Sequence, residues 1–236
     1  MTEPAHRDLA WSRLLTLGPV VLAIPVGSVA VFGLGGDRAV IADVIAWVYS
    51  VGLFLAFSTP FWPLPSLASW SGLRRMQSAA LVFLVVSYAT HLSWELGWLL
   101  FHERIAEARD AAWAYGWWAY IDGGDSRYAT APAGLLAIEI LSVINGTVGV
   151  GALSLYRRSD GRDPRAILLL MGTAMVHLYS ASFYYLDELL GGLPSVDTSS
   201  FTGTWIKFGL ANLPWVTLPW VVLYWGQRTL RDALVR

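Results

Sequence analysis

A histidine and a carboxylate four residues apart, His91 and Glu95, stand inside an apolar run that begins near Gln77. Residues four apart share one face of a helix, and Tyr88 joins that face three residues earlier. If that helix lies in lipid, ionisable groups on it are costly and turn towards a protein interior or a cavity. Later apolar runs carry residues of the same kind. One holds Glu139, with Asn145 further on; the next holds His177, Tyr184 and Glu188 at spacings of seven and four; the last holds Asn212 and Trp215. Carboxyls and a histidine kept from water suit proton transfer to and from an apolar substrate. An indole face beside them suits a cation. Blander readings stand next to these. His91, Glu95 and Tyr88 could simply bond neighbouring helices, Glu139 could pair with Arg127, and Trp215 could be packing. Asp187 is expected at a solvated helix end and Asp43 at an interface.

The elements that must hold these residues follow from composition. The chain has 236 residues, of which 56% are hydrophobic and 14% charged, with 13 tryptophans and a net charge of -1. Soluble domains carry nearer a quarter charged residues, so this balance indicates a polytopic membrane protein. Near-neutral charge gives no support for nucleic-acid binding. With no cysteine, disulfides, thiolate catalysis and cysteine-ligated metals are excluded. Fifteen of the 16 basic residues are arginine and Lys207 is the lone lysine, a bias suggesting a GC-rich, bacterial genome.

Six apolar runs of about 20 residues or more can cross a hydrocarbon core. They are expected at 14–34, 40–61, 78–101, 133–156, 166–190 and 205–227, in one domain without repeats. The first, after Arg7 and Arg13, has Gly27-Ser28-Val29-Ala30 as a cleavage-like stretch but stays apolar to Leu34, so it reads as a retained span. Pro19 and Pro25 are expected to bend it. Basic clusters at Arg74–Arg75, Arg157–Arg165 and Arg228–Arg236, with none in 191–204, place both termini in the cytoplasm. Between His102 and Pro132 an amphipathic stretch gives way to Trp113, Tyr115, Trp117, Trp118 and Tyr120, which predicts a short interfacial helix and a turn at Gly123-Gly124. The chain has no P-loop, no dinucleotide fingerprint and no nucleophile elbow. His91-x-x-x-Glu95 lacks a second histidine, and four histidines in all argue against a metal site.

The motifs together resemble the emopamil-binding protein family of the EXPERA superfamily. They are His91-x-x-x-Glu95, Gly124-Asp125-Ser126-Arg127-Tyr128 after the aromatic loop, Glu139 eleven residues beyond, Tyr179–Glu188, and Asn212-x-x-Trp215-x-x-x-Pro219. The resemblance runs from about Arg74 to Arg228. It implies an all-α, five-helix EXPERA-type core, here with one extra N-terminal transmembrane helix. The corresponding division is a cytoplasmic tail over 1–13, N-terminal helices over 14–61, a catalytic core over 74–228 and a cytoplasmic tail over 229–236. It further implies sterol Δ8→Δ7 isomerisation without cofactor or metal. His91, Glu95, Glu139, Asn212 and Trp215 match that family's catalytic positions. Tyr88, Trp118, Asp125, Arg127, Tyr128, His177, Tyr184 and Glu188 are the expected substrate-binding residues. Two departures touch substrate identity: Leu96 stands where the family has glycine, and Ser180-Ala181 stands where it has a glycine and an acid.

Expected partners are a sterol or related polycyclic terpenoid, membrane lipid, and cationic amphiphilic amines as inhibitors. A homodimer is one assembly this reading admits. The membrane is the bacterial inner membrane or that of the endoplasmic reticulum; the C-terminus has no retrieval tetrapeptide. Two alternatives stay open: a non-catalytic sterol or lipid binder of the same fold, and a proton-coupled transporter, against which the lack of an inverted repeat counts.

Overall fold

The computed structural model describes residues 7–234, and His6 and Arg236 lie outside them, as do the outermost residues of both expected tails. Among the described residues every regular element is helical. In chain order these are α1 (Arg7–Ser28), α2 (Arg38–Ser58), α3 (Gly72–Thr90), α4 (Leu96–Glu107), α5 (Tyr115–Ile121), α6 (Arg127–Thr130), α7 (Ala133–Arg158), α8 (Pro164–Leu190) and α9 (Pro214–Leu234). Three stretches wind as π-helix: Val29–Gly33, His91–Glu95 and Thr202–Leu210.

Joined through these π turns, six helices are long and apolar enough to cross a membrane. Three spans depart from expectation, the first by starting at Arg7, seven residues before the expected 14. The third covers Gly72–Glu107, 36 residues, because the charged stretch after Phe101 continues the helix instead of leaving it. The sixth covers Thr202–Asp232 and is interrupted at Leu213, just before Pro214. A proline cannot donate the backbone bond a continuous helix needs there. α1 passes through both of its prolines.

The expected interfacial helix is α5, and the expected turn follows it, with Gly123 at φ +85°. Side chains cap three helix starts: Asp37 receives the Val40 N–H, Ser71 that of Arg74, and Asp163 that of Arg165. Helices lie closest where side chains vanish. A β-carbon on Gly149 of α7 would overlap the Tyr88 ring of α3, and one on Gly52 of α2 would overlap Val20 of α1.

Buried side chains form two main clusters. One, around Phe57, Phe83, Leu84, Tyr88, Val222 and Trp225, unites α2, α3 and α9. The other, around Trp98, Ile105, Trp118, Ile121, Tyr128 and Phe208, is built from α4, the connection after it and the start of the sixth span. Arg74, Arg75, Arg157, Arg158, Arg162 and Arg165 lie at one end of the bundle's spans. At the opposite end, Arg38, Arg109 and Arg127 are ion-paired with Asp110, Asp122 and Asp125 respectively. Six apolar helices suit a multi-pass membrane protein.

Candidate active site

A cavity of about 490 Å³ lies within the bundle, and every span contributes to its wall. That volume falls in the range of small-molecule sites. Most of the wall is apolar: Leu17, Val20 and Ile24 of α1, Ile45 and Leu53 of α2, Val86 of α3. The polar residues are few and include His91, Glu95, Glu139, Asn212 and Lys207.

The π winding at His91–Glu95 presents the first pair. Single π turns inside α-helices widen the backbone locally and recur at functional sites. His91 is 3% exposed, and its Nδ1 lies 2.5 Å from Glu95 Oε2. α7 comes against this turn because Gly146 leaves room; a β-carbon there would sit 2.9 Å from His91 Cβ. Glu139, seven residues before Gly146, is thereby placed on the same face, and Ser142 between them also lines the cavity. The Tyr128 hydroxyl donates to Glu139 Oε1, while Oε2 is buried without a partner. Tyr128 is itself held by ring contacts with Trp94, Trp98 and Tyr120, and its carbonyl accepts the Trp98 indole N–H at 2.9 Å. Burial pushes the Tyr128 phenol well above its usual range, with Glu139 adding to the effect, so it stays a donor.

From the sixth span come Asn212 and Trp215. Trp215 is 9% exposed, meets the Phe83 ring edge-on at 6.4 Å, and its indole N–H has no partner. Asn212, expected among the catalytic positions, bonds neither a carboxyl nor Trp215. Its amide N–H donates to the Phe208 carbonyl at 2.8 Å and to the Tyr120 hydroxyl at 3.0 Å. Asn212 thus adds a side-chain bond to a carbonyl of the π winding.

Of the eight expected substrate-binding residues, only Tyr128 and Tyr184 reach the cavity wall. Tyr88 and His177 stand behind it. The Tyr88 hydroxyl meets Thr173 at 2.5 Å, and His177 Nε2 lies 2.8 Å from His91 Nε2. Trp118 is buried in the aromatic cluster, donating its N–H to the Ile105 carbonyl at 2.7 Å. Asp125, Arg127 and Glu188 form an ion network beside the site, because three carboxylates satisfy one guanidinium more completely than a cavity could. Arg127 contacts Asp125 at 2.8 Å, Asp187 at 2.7 Å and Glu188 at 3.0 Å. Burial opposes its charge, but Asp125, Tyr184 and Glu188 together hold its pKa above the usual range. Arg127 therefore pairs with these three and not with Glu139. Asp187, half exposed, is the solvated end of this network. A hydrogen-bond chain ties it to the cavity: Tyr184 donates to Asp125 at 2.6 Å, Tyr120 and Tyr184 meet at 2.7 Å, and Asn212 holds Tyr120.

The wall also contains Tyr49, Thr90, Trp94, Ser142 and Lys207, which were not expected there. Ser142 was findable from its spacing to Glu139. Lys207, 4% exposed, bonds the Asp122 carbonyl at 2.8 Å and Asp43 at 3.0 Å, so Asp43 is a partner in an ion pair. Among the described residues no three His, Asp or Glu side chains are grouped to hold a metal. Compared with protein-family models and with curated proteins, the chain matches none.

Proposed function

We propose that the protein is an intramembrane isomerase that moves a ring double bond of a sterol or related polycyclic terpenoid, Δ8→Δ7 being the reaction implied by the sequence resemblance. One observation carries this reading: His91, Glu95, Glu139 and Trp215, from three separate spans, line one largely apolar cavity. In the reaction one carboxyl gives its proton to C9, and the alkene becomes a tertiary cation at C8. The other carboxyl takes a proton from C7, and the released electron pair closes C7=C8. Composition and oxidation state are unchanged, so no cofactor is required. The Trp215 π face steadies the cation, and the apolar wall keeps out water that would trap it. Cationic amphiphilic amines resemble the cation and are expected to bind beside the same carboxyls.

The test is turnover of a Δ8 sterol by purified protein in deuterated water. Deuterium at C9 of a Δ7 product is expected, and Glu139→Gln should lower turnover by about 10²-fold or more. Tight amine binding with no Δ7 product would instead mark a binding protein. Unimpaired turnover in Glu139→Gln would remove that residue from the mechanism.

A further inference from the structure

We propose that His177 is a positioning residue: its Nε2–H donates to His91 Nε2 and thereby holds His91 in the Nδ1–H tautomer that donates to Glu95. This rests on the acid/base reading of the cavity. The two imidazoles stack with centroids 5.0 Å apart and touch through their Nε2 atoms at 2.8 Å. A contact of that length needs one proton, and a neutral imidazole carries one proton on one of its two nitrogens. Only two neutral arrangements are available. If His91 Nε2–H were the donor, His177 would carry its own proton on Nδ1. That atom is buried and has no partner, and a buried N–H without an acceptor is rarer than an acceptor without a donor. With His177 as donor, Nδ1 is a bare lone pair facing apolar surroundings, the less costly outcome. Phe83, edge-on at 5.5 Å, and Tyr88, stacked at 5.9 Å, enclose the His177 ring.

The consequence reaches the cavity. With Nε2 occupied by the bond from His177, the His91 proton sits on Nδ1, 2.5 Å from Glu95 Oε2. Glu95 is then presented as the group that accepts the substrate's C7 proton. Glu139, whose Oε2 has no partner, is left to deliver the proton to C9. His177 is 1% exposed and outside the cavity wall, so it acts only through His91. The setting of one tautomer by the bond at the other ring nitrogen is a general property of histidine.

The experiment is nitrogen–proton correlation NMR of the full chain labelled with ¹⁵N-histidine, with the other histidines assigned through His6→Gln and His102→Gln. Expected are the Nδ1–H tautomer for His91 and the Nε2–H tautomer for His177. His177→Leu should leave His91 as a tautomer mixture and lower kcat by about tenfold or more, with KM within about twofold. His177→Gln keeps an N–H donor and should restore both the His91 tautomer and most of kcat. An Nε2–H tautomer at His91, an unaltered His91 in His177→Leu, or equal impairment of the Leu and Gln variants would overturn the proposal. If His91 responds as stated while no sterol turns over, the positioning role stands and the isomerase reading falls. If sterols turn over while His91 ignores His177, the reverse holds.

Discussion

At the scale of single residues, the lining of the cavity was legible where a polar side chain interrupts an apolar run. Lipid tolerates such a residue only when it faces other protein, so His91, Glu95 and Glu139 stood out and all three line the cavity. Depth was less legible. Spacing places Tyr88 on the face of His91, yet it cannot say that Tyr88 turns to Thr173, behind the wall. Nor can it say that three carboxylates in different segments converge on Arg127. Trp215 is where the two kinds of reading meet, since a buried tryptophan can pack or can face a cation. Its place in the wall puts it in the same cavity as His91, Glu95 and Glu139. A desolvated cation–π contact contributes about 2 kcal/mol, or about thirtyfold in affinity. Trp215→Leu is therefore expected to weaken binding of a tertiary-amine amphiphile by about that factor, measured by radioligand or calorimetric titration. A neutral amphiphile of the same shape should lose much less. Equal losses for both would reduce Trp215 to packing.

At the scale of elements, hydropathy located six spans but not their hydrogen-bond register. The π winding at His91–Glu95 and the break at Leu213 depend on which carbonyl each N–H finds. Composition is silent on that choice. The extension of the third span to Glu107 was hidden because His102–Glu107 is charged, and charge was read as the end of the helix. What aligns the candidate site is instead a close approach of backbones. Gly146 lets α7 lie against His91, and through α7 it fixes where Glu139 sits. Gly151, five residues on, has no side chain or backbone near the place a β-carbon would occupy. Gly146→Leu should thus displace α7 and reduce turnover by about a hundredfold, with a lowered melting temperature from overpacking of about 1–3 kcal/mol. Gly151→Leu should leave both near wild type. The paired assay of turnover and thermal unfolding separates an alignment role from a general intolerance of α7 to bulk.

At the scale of the whole molecule, the expected separation between N-terminal helices and a core over 74–228 does not describe the site. Leu17, Val20, Val21 and Ile24 of α1 line the cavity together with α2 and the later spans. An apolar run shows that a helix crosses the membrane but not which helix it faces, so α1 read as an addition. Arrangement in the bilayer can be mapped directly because the chain has no cysteine. An impermeant maleimide should label Arg162→Cys and Thr198→Cys from opposite sides of sealed vesicles; labelling of both from one side would break the six-span topology. The path of the substrate follows from the wall itself. Val21 is 72% exposed although it lines the cavity, and the wall residues Ala89 and Ser93 are exposed as well. These exposed wall residues mark α1 and the Ala89–Ser93 stretch as the expected entrance for the proposed bilayer-dissolved substrate. Val21→Trp places a large ring at that rim. It should raise KM several-fold, about 1 kcal/mol in substrate access, while kcat stays close to wild type because the proton-transfer groups are untouched. Leu22→Trp, also exposed (56%) but absent from the wall, is the control and should change neither constant. A Val21→Trp variant with unaltered KM would move the entrance elsewhere, and one with lowered kcat and unaltered KM would mean that α1 acts on alignment of the proposed proton-transfer groups and not on access.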